Sequence, residues 1–157
     1  MTTRRLLIDT NAIMHLSRAQ DVGRWLLSHV PELNNMGTCL TCRVIHGEIW
    51  AFEARARAEE KPWSSRRITR LTELMNRIAT IELSDPGVVA AYAEIVAFTE
   101  IRCKPARPMT KNDLWIAAAA RIAKASILTS DKDFDHLQPM GVQVVAYDTN
   151  TIRTKHS

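Results

Sequence analysis

Acidic residues stand at positions in this sequence where a fold could gather them into one site. Asp9 directly follows a short apolar run at residues 6–8, and Asp131 closely follows a similar run at residues 126–129. Parallel strands place their sites beyond their carboxyl ends, so both carboxylates are predicted at the same mouth. Two carboxylates about 4 Å apart repel by roughly 4 kcal/mol at an effective dielectric of about 20, so such a cluster needs counter-charge. Mg2+ or Mn2+ supplies it through hard oxygen ligands, and the pattern therefore points to a divalent-cation site.

A third acid, Glu48, is predicted beside the apolar face of a helix. The residues of that face recur at helical spacing and are Ile45, Ile49, Phe52 and Ala56. At about 100° per residue, Glu48 falls about 60° from the centre of this stripe, so its carboxylate is expected at the edge of the core. An unpaired carboxylate there costs several kcal/mol or becomes neutral. A cation, a paired arginine or a route to water must compensate, and the sequence leaves all three open.

Capping of helices and turns is the structural alternative for the other acids. Asp9 could open the next helix as an Asx turn or N-cap. Asp113 begins a helical segment and matches a capping box with Thr110, with aspartate replacing the usual glutamate. A helix N-terminus favours a carboxylate by a few tenths to about 1 kcal/mol, which would explain Asp113 without catalysis. Asp131 is best placed for a site at a strand end, with Asp133 the substitute if the loop runs two residues further.

Strands and helices alternate along the chain in the order that a parallel α/β sheet requires. Short apolar runs predict strands at residues 6–8, 38–40, 80–83, 126–129 and 142–146. Apolar periodicity predicts helices at residues 11–19, 22–30, 43–58, 66–79, 87–103 and 112–124, with a short turn at 133–137. The expected architecture is a single α/β domain over residues 1–157 with a central, mainly parallel sheet.

Composition limits the class of protein. The chain has 157 residues, of which 46% are apolar and 24% charged, and this fits one globular domain and argues against intrinsic disorder. The apolar runs fall far short of the roughly 20 residues of a membrane span, so we expect a cytoplasmic protein. Three cysteines, Cys39, Cys42 and Cys103, suit reduced thiols better than a disulfide framework. The formal net charge of +4 is a mild bias toward polyanionic partners.

Four segments together resemble the PIN-domain ribonucleases and, within that family, the VapC-like toxins of bacterial toxin-antitoxin pairs. The segments are Leu-Leu-Ile-Asp-Thr-Asn ending at Asn11, the helix that carries Glu48, Asn-Asp-Leu-Trp-Ile-Ala-Ala-Ala beginning at Asn112, and Ile-Leu-Thr-Ser-Asp-Lys-Asp-Phe beginning at Ile127. They follow one another in this order across nearly the whole chain. The resemblance implies a three-layer α/β/α fold.

The same resemblance implies a set of site residues. The catalytic acids would be Asp9, Glu48, Asp113 and Asp131, with Asp9 and Asp113 as the metal ligands. Thr10, Asn11, Thr129 and Asp133 would be supporting polar residues. The implied reaction is hydrolysis of RNA phosphodiester bonds by water, dependent on Mg2+ or Mn2+, with 5′-phosphate and 3′-hydroxyl products. Residues 62–81 match nothing in the family's pattern, so substrate choice could reside there.

The resemblance also implies partners. They are an RNA substrate, a small cognate antitoxin protein, a second copy of the chain, and DNA only through the antitoxin complex. The basic residues predicted to bind RNA beside the site are Arg102, Lys104, Arg107 and Lys111. A second, helically spaced group fits RNA binding and a solvated helix face equally well and consists of Arg66, Arg67, Arg70 and Arg77. Candidate contacts for an antitoxin helix, although core positions suit them better, are Ile13, Leu16, Trp25 and Leu26.

Three other functions fit parts of the sequence. Cys39-Leu-Thr-Cys42 could be a redox motif, or a zinc site with His46 and Cys103, although the second ligand pair typical of zinc sites is missing. Phosphatases of the haloacid dehalogenase type also carry an aspartate after the first strand, but they need another aspartate where this chain has Asn11. The remaining alternative is a catalytically silent PIN-fold binding module that acts through a protein or DNA partner.

Overall fold

Five parallel strands form a sheet at the centre of the molecule, for which a computed structural model describes residues 4–18 and 20–154. The strands are β1 (Arg5–Ile8), β2 (Leu40–Cys42), β3 (Ala79–Ile81), β4 (Ala125–Thr129) and β5 (Gln143–Ala146). They lie in the order β3-β2-β1-β4-β5, and each neighbouring pair is parallel. The chain order reverses between β1 and β4. The carboxyl ends of these two strands therefore flank the crevice where open parallel sheets place their sites.

Helices cover both faces of the sheet and complete a three-layer α/β/α fold, as the resemblance noted above implies. Their bounds are α1 (Thr10–Arg18), α2 (Asp21–His29), α3 (Arg43–Ala58), α4 (Ser65–Asn76), α5 (Pro86–Ala97), α6 (Lys111–Ala123) and α7 (Thr149–Thr154). Short 3-10 turns occupy Pro31–Asn34, Met36–Thr38 and Asp135–Met140, and a π turn occupies Phe98–Arg102. Within the described ranges, none of the helices has the length and apolar character needed to cross a membrane.

The two central strands are buried on both faces. Leu6, Leu7 and Ile8 of β1 are completely buried, and every residue of β4 is buried as well. Continuous apolar runs of this kind are typical of parallel strands that helices cover on both sides. The four alanines at residues 117–120 of α6 are also completely buried, and α6 packs against α5 and β4. A completely buried part of the core thus lies directly beneath the carboxyl ends of β1 and β4.

The predicted strands are present, with shifts at their ends. β2 begins two residues later than the predicted strand at 38–40, because Met36–Thr38 forms a 3-10 turn and Leu40 is the residue that pairs with Leu7. β3 ends at Ile81, two residues before the end of the predicted strand. In both cases the strand pairing sets the boundary, and an apolar run read in isolation does not contain that information.

The helices also differ from the prediction. The predicted helix at 66–79 ends at Asn76, because Ala79 pairs with Leu40 as the first residue of β3. The predicted helix at 87–103 ends at Ala97, and the chain continues through the π turn, in which the amide of Cys103 donates to the carbonyl of Phe98. The short helix α7 has no counterpart among the predicted elements. Ala19, the predicted end of the first helix, lies outside the described residues.

The packing of α2 against α1 depends on Gly23. A Cβ atom at this position would lie 2.3 Å from the carbonyl oxygen of His15 on α1, which is far inside van der Waals contact with backbone. We therefore expect Gly23→Ala to destabilise the protein by about 1–3 kcal/mol, as measured by urea unfolding. Gly47→Ala is the matched control, because Gly47 is an exposed α3 residue with open space around it. That control should gain roughly 0.5–1 kcal/mol, and an equal response of the two variants would contradict the packing argument.

Candidate metal and active site

Asp9 lies at the carboxyl end of β1 with its carboxylate held from two sides. The Asp9 amide donates to the carbonyl of Leu128 at 3.1 Å, which extends the pairing of β1 with β4. The Thr10 amide donates to Asp9 Oδ1, and the Thr129 hydroxyl donates to Asp9 Oδ2, both at 2.8 Å. The side chain is only 7% exposed. Asp9 therefore both precedes α1 and presents an oriented carboxylate at the switch point of the sheet.

The electrostatics of Asp9 are unfavourable to its charged form in the metal-free protein. Burial raises the pKa of Asp9 above its ordinary value, and the hydrogen bonds from Thr129 and Thr10 offset only part of that rise. The neighbouring charges of Glu48 and Asp131 raise the pKa further. Several carboxylates therefore act on one another across this crevice, as the sequence predicts for a cluster that needs counter-charge.

Glu48 reaches the same crevice from α3. The Thr10 hydroxyl donates to Glu48 Oε1 at 2.8 Å, so Thr10 joins the two acids by bonding Asp9 through its amide and Glu48 through its hydroxyl. The predicted apolar stripe holds at Ile45 and Ile49, which are completely buried. It ends there, because Phe52 is 39% exposed and lies at the surface. Among the described residues, no arginine or lysine forms an ion pair with Glu48, so the arginine-paired alternative does not describe this glutamate.

Asp113, Asp131 and Asp133 form an acidic cluster at the other side of the crevice. Each can offer a carboxylate oxygen within 4.8 Å of the other two. Asp113 comes from the first turn of α6, whereas Asp131 and Asp133 come from the loop after β4, where the Asp133 amide donates to Asp131 Oδ1 at 2.9 Å. In the described part of the chain this is the one group of three such ligands close enough for a metal ion, and it contains no cysteine or histidine.

Thr129 links the two halves of the site. Its hydroxyl donates to Asp9 Oδ2 and accepts from the amide of Asp131 at 3.0 Å. Thr110 serves as the N-cap of α6, since its hydroxyl accepts from the amide of Asp113 at 3.2 Å. The capping alternative is therefore half right for Asp113, whose backbone is capped while its carboxylate faces the other acids. The four predicted catalytic acids and their threonine supports lie at one crevice, and their catalytic roles stay predictions.

Burial raises the pKa of Asp113 from its ordinary value of 3.8 to about 6. The Thr110 side chain lowers this pKa, whereas the charges of Asp9, Asp131 and Asp133 raise it. Burial and the neighbouring like charges thus both favour the protonated form of Asp113.

A pH dependence of stability follows for the metal-free protein. Between pH 3.8 and about 6, folded Asp113 holds a proton that the unfolded chain has released. Its contribution to stability is full below 3.8 and is lost as the pH rises through about 6. In EDTA, we expect the melting temperature of wild type relative to Asp113→Asn to be higher at about pH 5 than at about pH 7.5. A constant difference between the two proteins across that range would contradict the raised pKa.

The other predicted site residues are exposed at the surface. Asn11 is exposed on α1 and lines a surface groove. The basic residues predicted to bind RNA all belong to the segment that leads into α6 and are Arg102, Lys104, Arg107 and Lys111, each of them exposed. Lys111 is the first residue of α6, two residues before Asp113, and RNA binding by all four residues stays a prediction.

Tyr147 is a residue of the site that the sequence analysis does not single out. It directly follows β5, its amide donates to the carbonyl of Thr129 at 3.2 Å, and its side chain is 6% exposed. Burial raises the pKa of its phenol to about 12, the Ser130 side chain lowers it, and the charge of Asp9 raises it. The same rule that selects Asp9, a polar residue directly after a predicted strand, would also have selected Tyr147.

The cysteine motif does not provide a thiolate. Cys39 and Cys42 are both completely buried. Burial is the largest cause of a raised pKa at each, and at Cys42 the pKa reaches about 11. A thiol with such a pKa stays protonated at neutral pH, so these residues are structural thiols and the redox alternative has no support.

The geometry defines an α/β protein with an acidic site at the switch point of a parallel sheet. Residues 6–138 match the family model of the PIN domain. The chain therefore belongs to the PIN domain family, which confirms the resemblance carried by its sequence. A sequence search of curated proteins gives no match.

Solved structures share the fold at low sequence identity. VapBC2 from Rickettsia felis bound to a promoter DNA fragment is similar with a TM-score of 0.69 and 16% identity, covering 92% of this chain and 99% of that one. A toxin-antitoxin complex from Klebsiella pneumoniae is similar with a TM-score of 0.60 and 16% identity, covering 93% of this chain and 99% of that one. VapBC-5 from Mycobacterium tuberculosis is described as a member of the VapBC family of toxin-antitoxin systems. It is similar with a TM-score of 0.62 and 19% identity, covering 92% of this chain and 100% of that one. Because the sequence identities are below 20%, these similarities show a shared fold and nothing about shared activity.

Proposed function

We propose that this protein is a metal-dependent endoribonuclease that hydrolyses RNA phosphodiester bonds. The observation that carries the proposal is the meeting of acids from four separate segments at one crevice. Asp9 and Glu48 are joined through Thr10, while Asp9 and the loop of Asp131 are joined through Thr129. Asp113 faces the same charges from α6. A fold gains nothing in stability from gathering like charges, so a ligand that compensates them is the simplest reason for the arrangement.

The residues present fit a hard divalent cation. All the candidate ligand atoms are carboxylate oxygens, which suit Mg2+ and Mn2+. Asp9 and Asp113 are the proposed ligands of the ion. Asp113 lies close enough to Asp131 and Asp133 to share an ion with them, whereas Asp9 lies outside that group and acts on Asp113 through its charge. Such an ion, when bound, polarises the scissile phosphate and makes a water molecule more acidic.

The chain's own side chains supply orientation around that centre. Thr10 and Thr129 fix both oxygens of the Asp9 carboxylate, so this group cannot rotate freely. Thr10 also fixes one oxygen of Glu48, which keeps that acid directed at the crevice. Buried Leu128 and Ile8 beneath the site hold the strand ends rigid, which preserves the alignment that catalysis requires.

Removal of the Thr129 hydroxyl should weaken the site without unfolding the protein. Thr129→Val deletes the donor to Asp9 and the acceptor of the Asp131 amide. Removal of a side chain that orients a metal ligand costs about 10–100-fold in metal affinity or activity, and we expect RNA cleavage to fall by that factor. Thr41→Val is the matched control, because the Thr41 hydroxyl is buried on β2 and has no hydrogen-bond partner among the described residues. Equal cleavage by both variants would show that Thr129 does not support the site.

The basic test of the proposed activity is cleavage of single-stranded RNA by the purified protein. A 5′-labelled RNA should be cut with Mg2+ or Mn2+ present, and cutting should stop in EDTA and return when the ion is restored. Products carrying 5′-phosphate and 3′-hydroxyl ends would agree with attack by water. A protein that is folded, metal-loaded and inactive on every RNA tested would instead support the silent binding module.

We further propose that the protein is the toxin of a type II toxin-antitoxin pair in the cytoplasm, bound by a small antitoxin. The solved structures of similar fold from Klebsiella pneumoniae and Mycobacterium tuberculosis are described as toxin-antitoxin proteins, which supports this proposal. A homodimer, and DNA contact only through the antitoxin, belong to the same proposal. Ile13, Leu16 and Leu26 are buried, so they are core residues and not an antitoxin groove. A short charged protein encoded beside this chain and copurifying with it would be the direct support.

A further inference from the structure

A groove beside the acidic site is lined by arginines and aromatic rings. It runs along α1, α3 and α4 and consists of three adjoining hollows of about 400, 320 and 390 Å³. Phe52 lines both the first and the second hollow, while Arg18 and Arg67 line both the second and the third. Each hollow falls within the size range of ligand pockets. Because neighbouring hollows share side chains, they adjoin one another along this surface.

One end of the groove opens at the acidic site. Glu48 and Asn112, the second residue of α6, line the first hollow. Asn11, two residues after Asp9, lines the second. The far end lies at Arg70 on α4. A chain bound along the groove would therefore have one part at the carboxylates and the rest among the arginines.

The cations of the third hollow have no acidic counterparts. Arg18, Arg66, Arg67 and Arg70 line it, and no described aspartate or glutamate does. None of these four arginines forms an ion pair within residues 4–18 and 20–154. Burial and the charge of Arg18 both lower the pKa of Arg67, as expected where cations gather without counter-charge. A polyanion is the ligand that such a surface favours.

Aromatic rings lie among these cations. The Arg67 guanidinium lies 3.9 Å from the centroid of the Trp63 ring, and the Arg55 guanidinium lies 4.9 Å from that of Phe52. Aromatic faces and stacked arginines in a basic groove are the means by which proteins bind the bases of single-stranded nucleic acids without sequence preference. An acidic protein segment could satisfy the arginines, but its carboxylates gain nothing from the ring faces.

We propose that this groove is the path along which a single-stranded RNA substrate runs away from the acidic site. The exposed Phe52 ring stacks on a base, and the Arg67 guanidinium, which lies on the Trp63 ring, offers a second stacking surface. Arg18, Arg66 and Arg70 contact its phosphates. The identification of the bound chain as RNA rests on the proposed ribonuclease function. The path uses residues 63–70, within the segment 62–81 that matches nothing in the family's pattern, and not the basic segment at residues 102–111.

The first experiment measures RNA binding without cleavage. In an Asp9→Asn background, a fluorescein-labelled single-stranded RNA of about 12 nucleotides is titrated with protein at several salt concentrations, and anisotropy gives Kd. Arg18→Ala/Arg70→Ala removes two exposed cations, so the slope of log affinity against log salt should fall by about 0.7 for each phosphate that the variant no longer neutralises. Arg77→Ala is the matched control, because Arg77 is exposed just beyond the C-terminal end of the same helix and lines none of the hollows. The control should leave the slope nearly unchanged.

Base stacking is tested by Phe52→Ala, which changes an exposed ring and leaves the core intact. Affinity for the same RNA should fall about tenfold while the salt slope stays constant, because the ring stacks on a base and neutralises no phosphate. Poly-L-glutamate is the competing polyanion. Two results together would overturn the path in favour of an acidic protein partner. Wild type and Phe52→Ala would bind the RNA with equal affinity, and poly-L-glutamate would displace the RNA at an equal concentration of negative charges.

Cleavage kinetics separate this proposal from the ribonuclease proposal. With active protein, Arg18→Ala/Arg70→Ala should raise KM for the long RNA about tenfold while kcat and the cleavage of a dinucleotide stay as in wild type. Wild-type cleavage combined with an unchanged KM in this variant would overturn the path and leave the ribonuclease intact. Groove-dependent RNA binding with no cleavage by wild type would overturn the ribonuclease and support the groove as an RNA-binding surface.

Discussion

Asp9→Asn should lose RNA cleavage by about a thousandfold while the protein stays folded. Asp9 is the most buried acid of the site and the one that both Thr10 and Thr129 orient. We therefore expect its negative charge to contribute most to the binding of a cation. Charge stabilisation by such an ion supplies several kcal/mol, and about 1.4 kcal/mol corresponds to a factor of ten in rate. Asparagine keeps the shape, can accept from the Thr10 amide and can donate to the Thr129 hydroxyl. The measurement is the initial rate of cleavage of a labelled RNA at saturating Mg2+.

Asp21→Asn is the control for Asp9→Asn. Asp21 is exposed in the first turn of α2 and takes no part in the acidic crevice, so this variant should cleave RNA as wild type does. Circular dichroism and urea unfolding establish that both variants are folded. If Asp9→Asn retained wild-type cleavage, the active site would have to lie elsewhere in the molecule.

Asp113→Asn should have opposite effects on activity and on metal-free stability. In EDTA the variant should melt at the same temperature as wild type or higher, because it removes a carboxylate whose pKa is raised to about 6 by burial and by neighbouring acids. In Mg2+ the order should reverse, because a ligand at about 100 times its Kd stabilises the folded state by about 2.7 kcal/mol and the variant binds it poorly. Cleavage should fall by about a thousandfold, as expected when a metal ligand is removed.

Asp85→Ala shows what removal of a pure cap looks like. The Asp85 carboxylate accepts from the Gly87 amide at 2.7 Å and caps the start of α5. Asp85 is not one of the acids of the site. Its removal should cost about 1 kcal/mol with or without metal and leave cleavage unchanged. If Asp113→Asn behaved in the same way, with a stability loss that metal does not alter, Asp113 would be a capping residue and not a metal ligand.

The parts of the fold that sequence predicts well are those that local pattern determines. The apolar runs before Asp9 and Asp131 are buried on both faces, so they read as strands without knowledge of their neighbours. Once these strands are parallel, the acids that follow them must lie at the same edge of the sheet. The positions of two of the four predicted acids therefore follow from the sequence by elementary geometry.

The remaining features depend on contacts between distant segments. Thr10 bridges to Glu48 across 38 residues, and Thr129 bridges to Asp9 across 120, so neither hydrogen bond leaves a local signal. Phe52 has the spacing of a core residue, yet it is exposed because the crevice and groove interrupt the packing there. The start of β2 at Leu40 is likewise set by pairing with β1 and not by its own residues.

The groove shows why the segment at residues 62–81 is hard to interpret from sequence. Arg66, Arg67 and Arg70 have the spacing of an ordinary solvated helix face. Their meaning comes from Arg18 on another helix and from Trp63, which brings a ring beneath Arg67. Only the tertiary arrangement distinguishes a basic groove from scattered surface charge.

Binding of Mn2+ to the metal-free protein tests the acidic centre most directly. Electron paramagnetic resonance of free Mn2+ gives the bound fraction as wild type, Asp9→Asn/Asp113→Asn and the control Asp21→Asn are titrated. Wild type and the control should bind Mn2+ with equal affinity, and the double variant should not bind it in the same concentration range. Equal binding by all three proteins, or none by wild type at Mn2+ concentrations that support RNA cleavage, would contradict a metal centre held by these carboxylates.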